Sequence, residues 1–214
     1  MFLNEENQKY VREMLSEMEE SVKLIYFTQA MECQYCKETR QLLEELAALT
    51  DKLTLETHDF IADRKLAEQL GVDKIPAIVV SNAAKPNSRI KFYGIPSGYE
   101  FTSVLEDILD VSRNNHGFSE DILREVQAIQ KPVHIQVFVT PTCPYCPAAV
   151  RTAHRLALVN ENITADMVEA TEFPHLGQKY AVRGVPKSVI NEKWSVEGAV
   201  PEKMVVDKIM QSIA

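Results

Sequence analysis

Glycine is scarce in this chain, seven in 214 residues, and tryptophan occurs once. With 45% hydrophobic and 25% charged residues, the composition is that of an ordinary packed protein. No apolar run approaches the ~18–20 residues that span a bilayer. The opening stretch, MFLNEENQKYVREMLSEMEE, lacks the apolar core of a signal peptide, so a cytoplasmic location is expected over a secreted one. Basic residues are outnumbered 23 to 31, and the deficit is uneven: residues 1–116 carry a net charge of −7 and residues 117–214 only −1. An acidic chain without a basic patch argues against nucleic acid as a partner. The five histidines, His58, His116, His134, His154 and His175, are scattered with no metal-ligand spacing between them, so neither a metal nor a cofactor site is expected from them.

Cysteine is also sparse, and its placement is the informative feature. All four cysteines fall in two C-x-x-C pairs, Cys33/Cys36 and Cys143/Cys146. Disulfide frameworks staple small secreted domains, and this chain is neither small nor of secreted character. Structural zinc ribbons separate their pairs by ~15–20 residues, whereas 106 residues lie between Cys36 and Cys143. Redox chemistry is the expectation, with a zinc-binding or structural module as the alternative of another class.

The second pair sits in Val137-Phe138-Val139-Thr140-Pro141-Thr142-Cys143-Pro144-Tyr145-Cys146. An apolar, β-branched run ends in a polar turn and leads into a helical pattern of Ala149, Val150, Ala153, Leu156 and Ala157. This reads as a buried strand feeding a helix, with Cys143 at or near the N-cap. Unpaired N–H groups and the positive end of the helix dipole favour an anion there. The anion on offer is the thiolate, which is the reactive form of cysteine. Cys146, one turn on, is close enough to close a disulfide back onto Cys143. The first pair repeats the pattern, strand 22–28 leading through Cys33 and Cys36 to a helix faced by Leu42, Leu43, Leu46 and Leu49. An offset of 110 residues relates Cys33 to Cys143, Tyr35 to Tyr145, Cys36 to Cys146, Asp59 to Glu169, Val72 to Val182 and Pro76 to Pro186. An offset held over that span is an internal repeat.

Two units are therefore expected, 1–116 and 117–214, with the seam in the polar run 112–117. The first opens with a helix over 5–20 capped by Asn4, then strand 22–28, the Cys33 helix, strand 53–60, a short helix 63–70 ending at Gly71, strands 77–80 and 89–93, and a helix over 98–111. The second has a helix capped by Ser119 and stopped by Pro132, strand 133–139, the Cys143 helix, strand 163–169, a short helix 173–181, strands 187–190 and 194–196, and a last helix over 201–213. The fold class is α/β, each unit a central mixed sheet of about four strands flanked by helices.

That order, with C-x-x-C after the first strand and an apolar-proline pair before the third, resembles the thioredoxin fold. Ile75-Pro76 and Val185-Pro186 look like the family's cis-proline segments, and Cys143-Pro144-Tyr145-Cys146 is the glutaredoxin form of the redox motif. Two such units resemble the tandem, glutaredoxin-like protein disulfide oxidoreductases of archaea and thermophilic bacteria, over nearly the whole chain. The resemblance implies that Cys33 and Cys143 attack a substrate disulfide and that Cys36 and Cys146 resolve the mixed disulfide. It makes Pro76 and Pro186 cis, leaving the peptide groups of Ile75 and Val185 to pair with an extended substrate chain. It further implies protein disulfides as substrates and a thioredoxin reductase-like flavoprotein as electron donor. In an alternative reading the chain shuttles electrons from a flavin disulfide reductase to a peroxiredoxin, as in the tandem segment of the alkyl hydroperoxide reductase flavoprotein, where one cysteine pair should be lost.

Departures from the family pattern qualify these expectations. Phe27 and Val137 stand where thioredoxins carry a buried acid, so proton transfer from the resolving cysteine needs another group or water. Asp59 and Glu169 are expected to be exposed strand-end acids. The glycine-and-acid pattern of a glutathione site is not reproduced at Gly94–Gly98 or at 198–201. Pro144 and Pro147 of the second site face Gln34 and Lys37 of the first, so the sites should differ, with Cys143/Cys146 the main pair. Lys37 could favour a thiolate.

Overall fold

The computed structural model describes residues 2–214. Its elements run α1 (Glu5–Leu15), β1 (Val22–Thr28), α2 (Cys36–Ala47), β2 (Leu53–Asp59), α3 (Arg64–Gln69), β3 (Ala77–Asn82), β4 (Ile90–Tyr93) and α4 (Glu100–Arg113). The second half follows as α5 (Glu120–Gln127), β5 (Val133–Val139), α6 (Cys146–Val159), β6 (Ile163–Glu169), α7 (Pro174–Lys179), β7 (Lys187–Ile190), β8 (Trp194–Glu197) and α8 (Glu202–Ile213). Asn4 caps α1 by accepting the Asn7 N–H at 2.8 Å, and Ser119 caps α5 through the Ile122 N–H. Helix α1 ends at Leu15, five residues short of the expected end, yet Met18 beyond it is still buried in the core.

The two halves do not keep separate sheets. All eight strands form one sheet in the order β2-β1-β3-β4-β6-β5-β7-β8, joined by a parallel pairing of β4 with β6. An open sheet edge presents unpaired backbone groups, and apolar residues on both faces make it costlier to leave bare. Strand β4, Ile90-Lys91-Phe92-Tyr93, is buried along its whole length under this pairing. Strand alternation sends Leu24, Tyr26, Ile78, Phe92, Met167 and Val137 to one face, beneath α1, α2, α4, α5, α6 and α8. Phe27, Val79, Tyr93, Val168 and Phe138 face the other side, covered by the short α3 and α7.

Charge also crosses the joint. Lys91 lies directly opposite Asp166, 3.6 Å apart and both almost fully buried, with His134 Nε2 at 2.6 Å from the other Asp166 oxygen. Burial opposes ionisation of Asp166, but His134 and Lys91 outweigh it and hold the carboxyl below the usual range. Helix α4 packs on α6 through a second ionic seam. Asp110 accepts from Arg151 at 2.9 Å and from Arg155 at 2.7 Å, Glu106 pairs with Arg151 at 2.8 Å, and Asp107 meets His154 with both side chains buried.

Strands β1, β4, β6 and β5 are mutually parallel in this order, because β3 runs antiparallel to both β1 and β4. Their carboxyl ends therefore share one rim of the sheet, and the amino ends of β3 and β7 open at that same rim.

Candidate active sites

Both C-x-x-C motifs lie at this rim, one following β1 and the other β5. Cys33–Cys36 and Cys143–Cys146 are each closed as disulfides with Cα atoms 5.5 Å apart. The helices begin later than expected, at Cys36 and Cys146, with Tyr35 and Tyr145 as N-caps. Cys143 thus sits two residues before the N-cap, held by its N–H to Thr140 O at 3.1 Å in a turn that Pro141 favours. Pro147 falls in the first turn of α6, where a missing N–H has no consequence.

The Ile75–Pro76 and Val185–Pro186 bonds are both cis. Pro76 O accepts the Gly94 N–H at 3.0 Å and Pro186 O the Gly198 N–H at 2.8 Å, so the proline carbonyls belong to the hairpins. The peptide groups of Ile75 and Val185, just outside the ladders that begin at Ala77 and Lys187, have no backbone partner among the described residues. Strand pairing brings Ala77 beside Phe27 and Lys187 beside Phe138, so each proline lies at the rim next to its own cysteine loop. Four strand spacings separate β1 from β5, about 19 Å at ~4.8 Å each. The two pairs are too far apart to ligate one zinc ion, whose sulfur ligands lie ~2.3 Å from the metal. Among the described residues no group of three or more His, Cys, Asp or Glu side chains is gathered for a metal.

The two sites differ in what lies beside them. At the first, a cleft of about 440 Å³ opens next to the disulfide, lined by Cys33, Cys36, Lys37, Arg40, His58 and Asp59. At the second, the corresponding flank is covered by residues 94–100 of the first half. The Tyr99 N–H donates to Pro141 O at 3.0 Å, and a Cβ at Gly98 would stand 2.2 Å from that same oxygen. Cys143 is consequently buried while Cys33 is half-exposed. The apolar Pro147 and Val150 under this cover occupy the places of Lys37 and Arg40 at the open site.

Two carboxyls at this rim escaped sequence reasoning. Glu100 begins α4, 1% exposed, next to the Tyr99–Pro141 contact and on the side of α4 that meets α6. Ser103 donates to its Oε2 at 2.8 Å, while Oε1 is buried without a partner. Burial pushes its carboxyl up to about 7. A signal was available: Glu100, Val104, Asp107, Ile108 and Val111 share the core-facing stripe of α4, an unusual place for acids. The second is Glu172, whose Oε1 accepts the Ile95 N–H at 2.6 Å and which burial likewise pushes up to about 7. Glu169, expected at an exposed strand end, is instead buried because the β4–β6 joint covers it, and its carboxylate binds the N–H groups of Thr171 and Glu172. Its counterpart Asp59, on the free edge strand, is exposed.

A thioredoxin fold that presents redox-closable C-x-x-C pairs at helix starts beside cis-prolines is a thiol–disulfide oxidoreductase, and this chain carries two such sites. Residues 133–211 match the thioredoxin domain family. A crystal structure of the NTD_N/C domain of the alkylhydroperoxide reductase AhpF from Enterococcus faecalis superposes with a TM-score of 0.90 at 26% identity, covering 97% of this chain and all of that one. A protein disulfide oxidoreductase from Aeropyrum pernix superposes with a TM-score of 0.91 at 26% identity, covering 99% of this chain and 94% of that one. The corresponding alkyl hydroperoxide reductase protein of Staphylococcus aureus is 23% identical over 207 residues, 97% of this chain, and the chain spans 38% of that protein's length. Among the described residues no helix is long and apolar enough to cross a membrane.

Proposed function

We infer that this protein reduces, forms or isomerises disulfides in other proteins, with units 1–116 and 117–214 each supplying one C-x-x-C centre. The observation that carries the reading is the pairing, at both centres, of a C-x-x-C disulfide with an unpaired backbone edge at Ile75 or Val185. An extended substrate strand can hydrogen-bond to that edge and bring its cystine against the cysteine pair. Cys33 and Cys143 attack the substrate disulfide, breaking its S–S bond and forming a mixed disulfide. Cys36 and Cys146, both buried, then attack the mixed disulfide, close the protein's own S–S bond and release the reduced substrate. A separation of about 19 Å prevents direct exchange between the two pairs in one chain, since exchange needs sulfur–sulfur contact. Each centre therefore works on its own encounter with substrate or reductant.

Phe27 and Val137 leave the place of a buried acid empty at both centres, so the proton that each resolving cysteine gives up passes to water or to another group. A cytoplasmic site of action, cell redox homeostasis and recharging by a thioredoxin reductase-like flavoprotein complete the reading. A second reading, an electron shuttle from such a flavoprotein to a peroxiredoxin, is favoured by the resemblance to the AhpF segment from Enterococcus faecalis. The presence of both cysteine pairs favours the broader protein-disulfide role.

Trapping tests the assignment. Cys36→Ser and Cys146→Ser variants should accumulate mixed disulfides through Cys33 and Cys143 when mixed with oxidised protein substrates. Peroxiredoxin adducts alone would favour the shuttle, and no adduct at either cysteine would sink both.

A further inference from the structure

The first redox pair is open on two sides. In the sheet β1 lies between β3 and β2. The unpaired edge at Ile75 leads into β3, whereas the cleft of about 440 Å³ opens on the β2 side and includes neither Ile75 nor Pro76 in its wall. Both Cys33 and Cys36 do lie in that wall, and Cys33 is half-exposed. The volume falls in the range of small-ligand sites, ~300–1,000 Å³.

The wall is also charged. Lys37 and Arg40, three apart in α2, share one face of the helix and are both exposed. Lys37 forms no ion pair among the described residues. Glu44 engages Arg40 through Nε at 2.7 Å, leaving the terminal N–H groups of the guanidinium unbonded among the described residues. The acid in the wall, Asp59, is turned to its own loop, where it accepts the Ile61 and Ala62 N–H groups at 2.9 and 2.8 Å. Asp63 holds His58 at 3.2 Å. Two cations therefore face the cleft against one occupied carboxylate. At the second centre the places of Lys37, Arg40, Thr57 and His58 are taken by Pro147, Val150, Met167 and Val168. Val150, Met167 and Val168 are buried there, so neither the space nor the charge is repeated.

Building on the oxidoreductase reading, we propose that this cleft is a site for small disulfides with negatively charged ends, which the first centre reduces and the second does not select. Lys37 and Arg40 hold the charged end while the disulfide lies against Cys33. The Cys33 thiolate attacks one of its sulfurs, the small S–S bond breaks, a mixed disulfide forms and one small thiol leaves. Cys36 gives up its proton, attacks the Cys33 sulfur and closes the protein disulfide, releasing the second thiol. The pair loses two electrons and the small disulfide gains them. The pair is then recharged as after a protein substrate.

The test follows single turnovers of the reduced full chain, freed of dithiothreitol, so that both pairs report in one tube. It is mixed with dithiodipropionate, hydroxyethyl disulfide or cystamine, which share a core and carry negative, neutral and positive ends. Samples are quenched with N-ethylmaleimide, and peptide mass spectrometry gives the oxidation rate of each pair. At low salt the ratio of the rate with dithiodipropionate to that with cystamine should be about tenfold higher at Cys33/Cys36 than at Cys143/Cys146. Lys37→Gln and Arg40→Gln should each lower it about threefold, and together bring it to the value of the second pair. Raising the ionic strength should act in the same direction. Taking a ratio cancels any change in the reactivity of Cys33 itself. Equal ratios at the two pairs, or a ratio that the double variant leaves unchanged, would overturn the proposal. If insulin is still reduced at the first pair in that case, only the small-disulfide site falls, whereas no reaction with any disulfide removes the oxidoreductase reading with it.

Discussion

Replacing Glu100 by glutamine isolates one buried charge. The native carboxyl titrates near 7 against an ordinary value of 4.5. Between those pH values the folded protein keeps the proton and the unfolded chain has lost it. Stability from this group is therefore complete below about pH 4.5 and is lost as pH rises through 7. That displacement corresponds to about 3 kcal/mol at pH 8, and Glu100 is too buried for solvent to screen much of it. Glutamine has nearly the shape of the neutral acid and never ionises. Urea unfolding of the oxidised proteins should find the variant within about 1 kcal/mol of its parent at pH 5 and about 3 kcal/mol more stable at pH 8. For a chain of this size the melting temperature should rise by roughly 6–12 °C at the higher pH. A variant that is no more stable than its parent at pH 8, or a difference that does not change between pH 5 and 8, would refute the reasoning.

Other parts of the molecule give sharper contrasts. Lys91→Met leaves Asp166 buried with less compensation and should cost about 3–5 kcal/mol in urea unfolding, much of it recovered when Asp166→Leu is added. A Gly98→Ala change meets the Pro141 carbonyl and a positive φ together, so it should destabilise by about 2 kcal/mol or more and disturb the second centre. Gly198→Ala has an equally unfavourable φ but open space around it, and calorimetry should find a cost of only about 1 kcal/mol.

Local chemistry made the strands legible. Val133–Val139, Ile163–Glu169 and Lys187–Ile190 stand where apolar runs end at turn residues. The cysteine motifs, the repeat and the proline pairs are likewise written in short spacings. What could not be read was the union of the two sheets, because a parallel pairing of β4 with β6 joins residues some 75 positions apart and leaves no local pattern. Lys91 and Asp166 each read as an ordinary polar strand residue, and only the register makes them partners. The same joint explains why Glu169 is buried although Asp59 is not, and why Glu172 reaches the Ile95 N–H of the other half. Helix α6 starts about two residues later than the pattern suggests because the turn from Thr140 to Cys143 competes with its first turn.

Disulfide reduction by the cysteines themselves is the central claim. Insulin reduction by dithiothreitol should be followed by turbidity for the parent, Cys33→Ser, Cys143→Ser and the double variant. Catalysis is predicted for the parent, with a partial loss in Cys33→Ser and in Cys143→Ser and none left in the double variant. Four proteins indistinguishable from the protein-free control would contradict it.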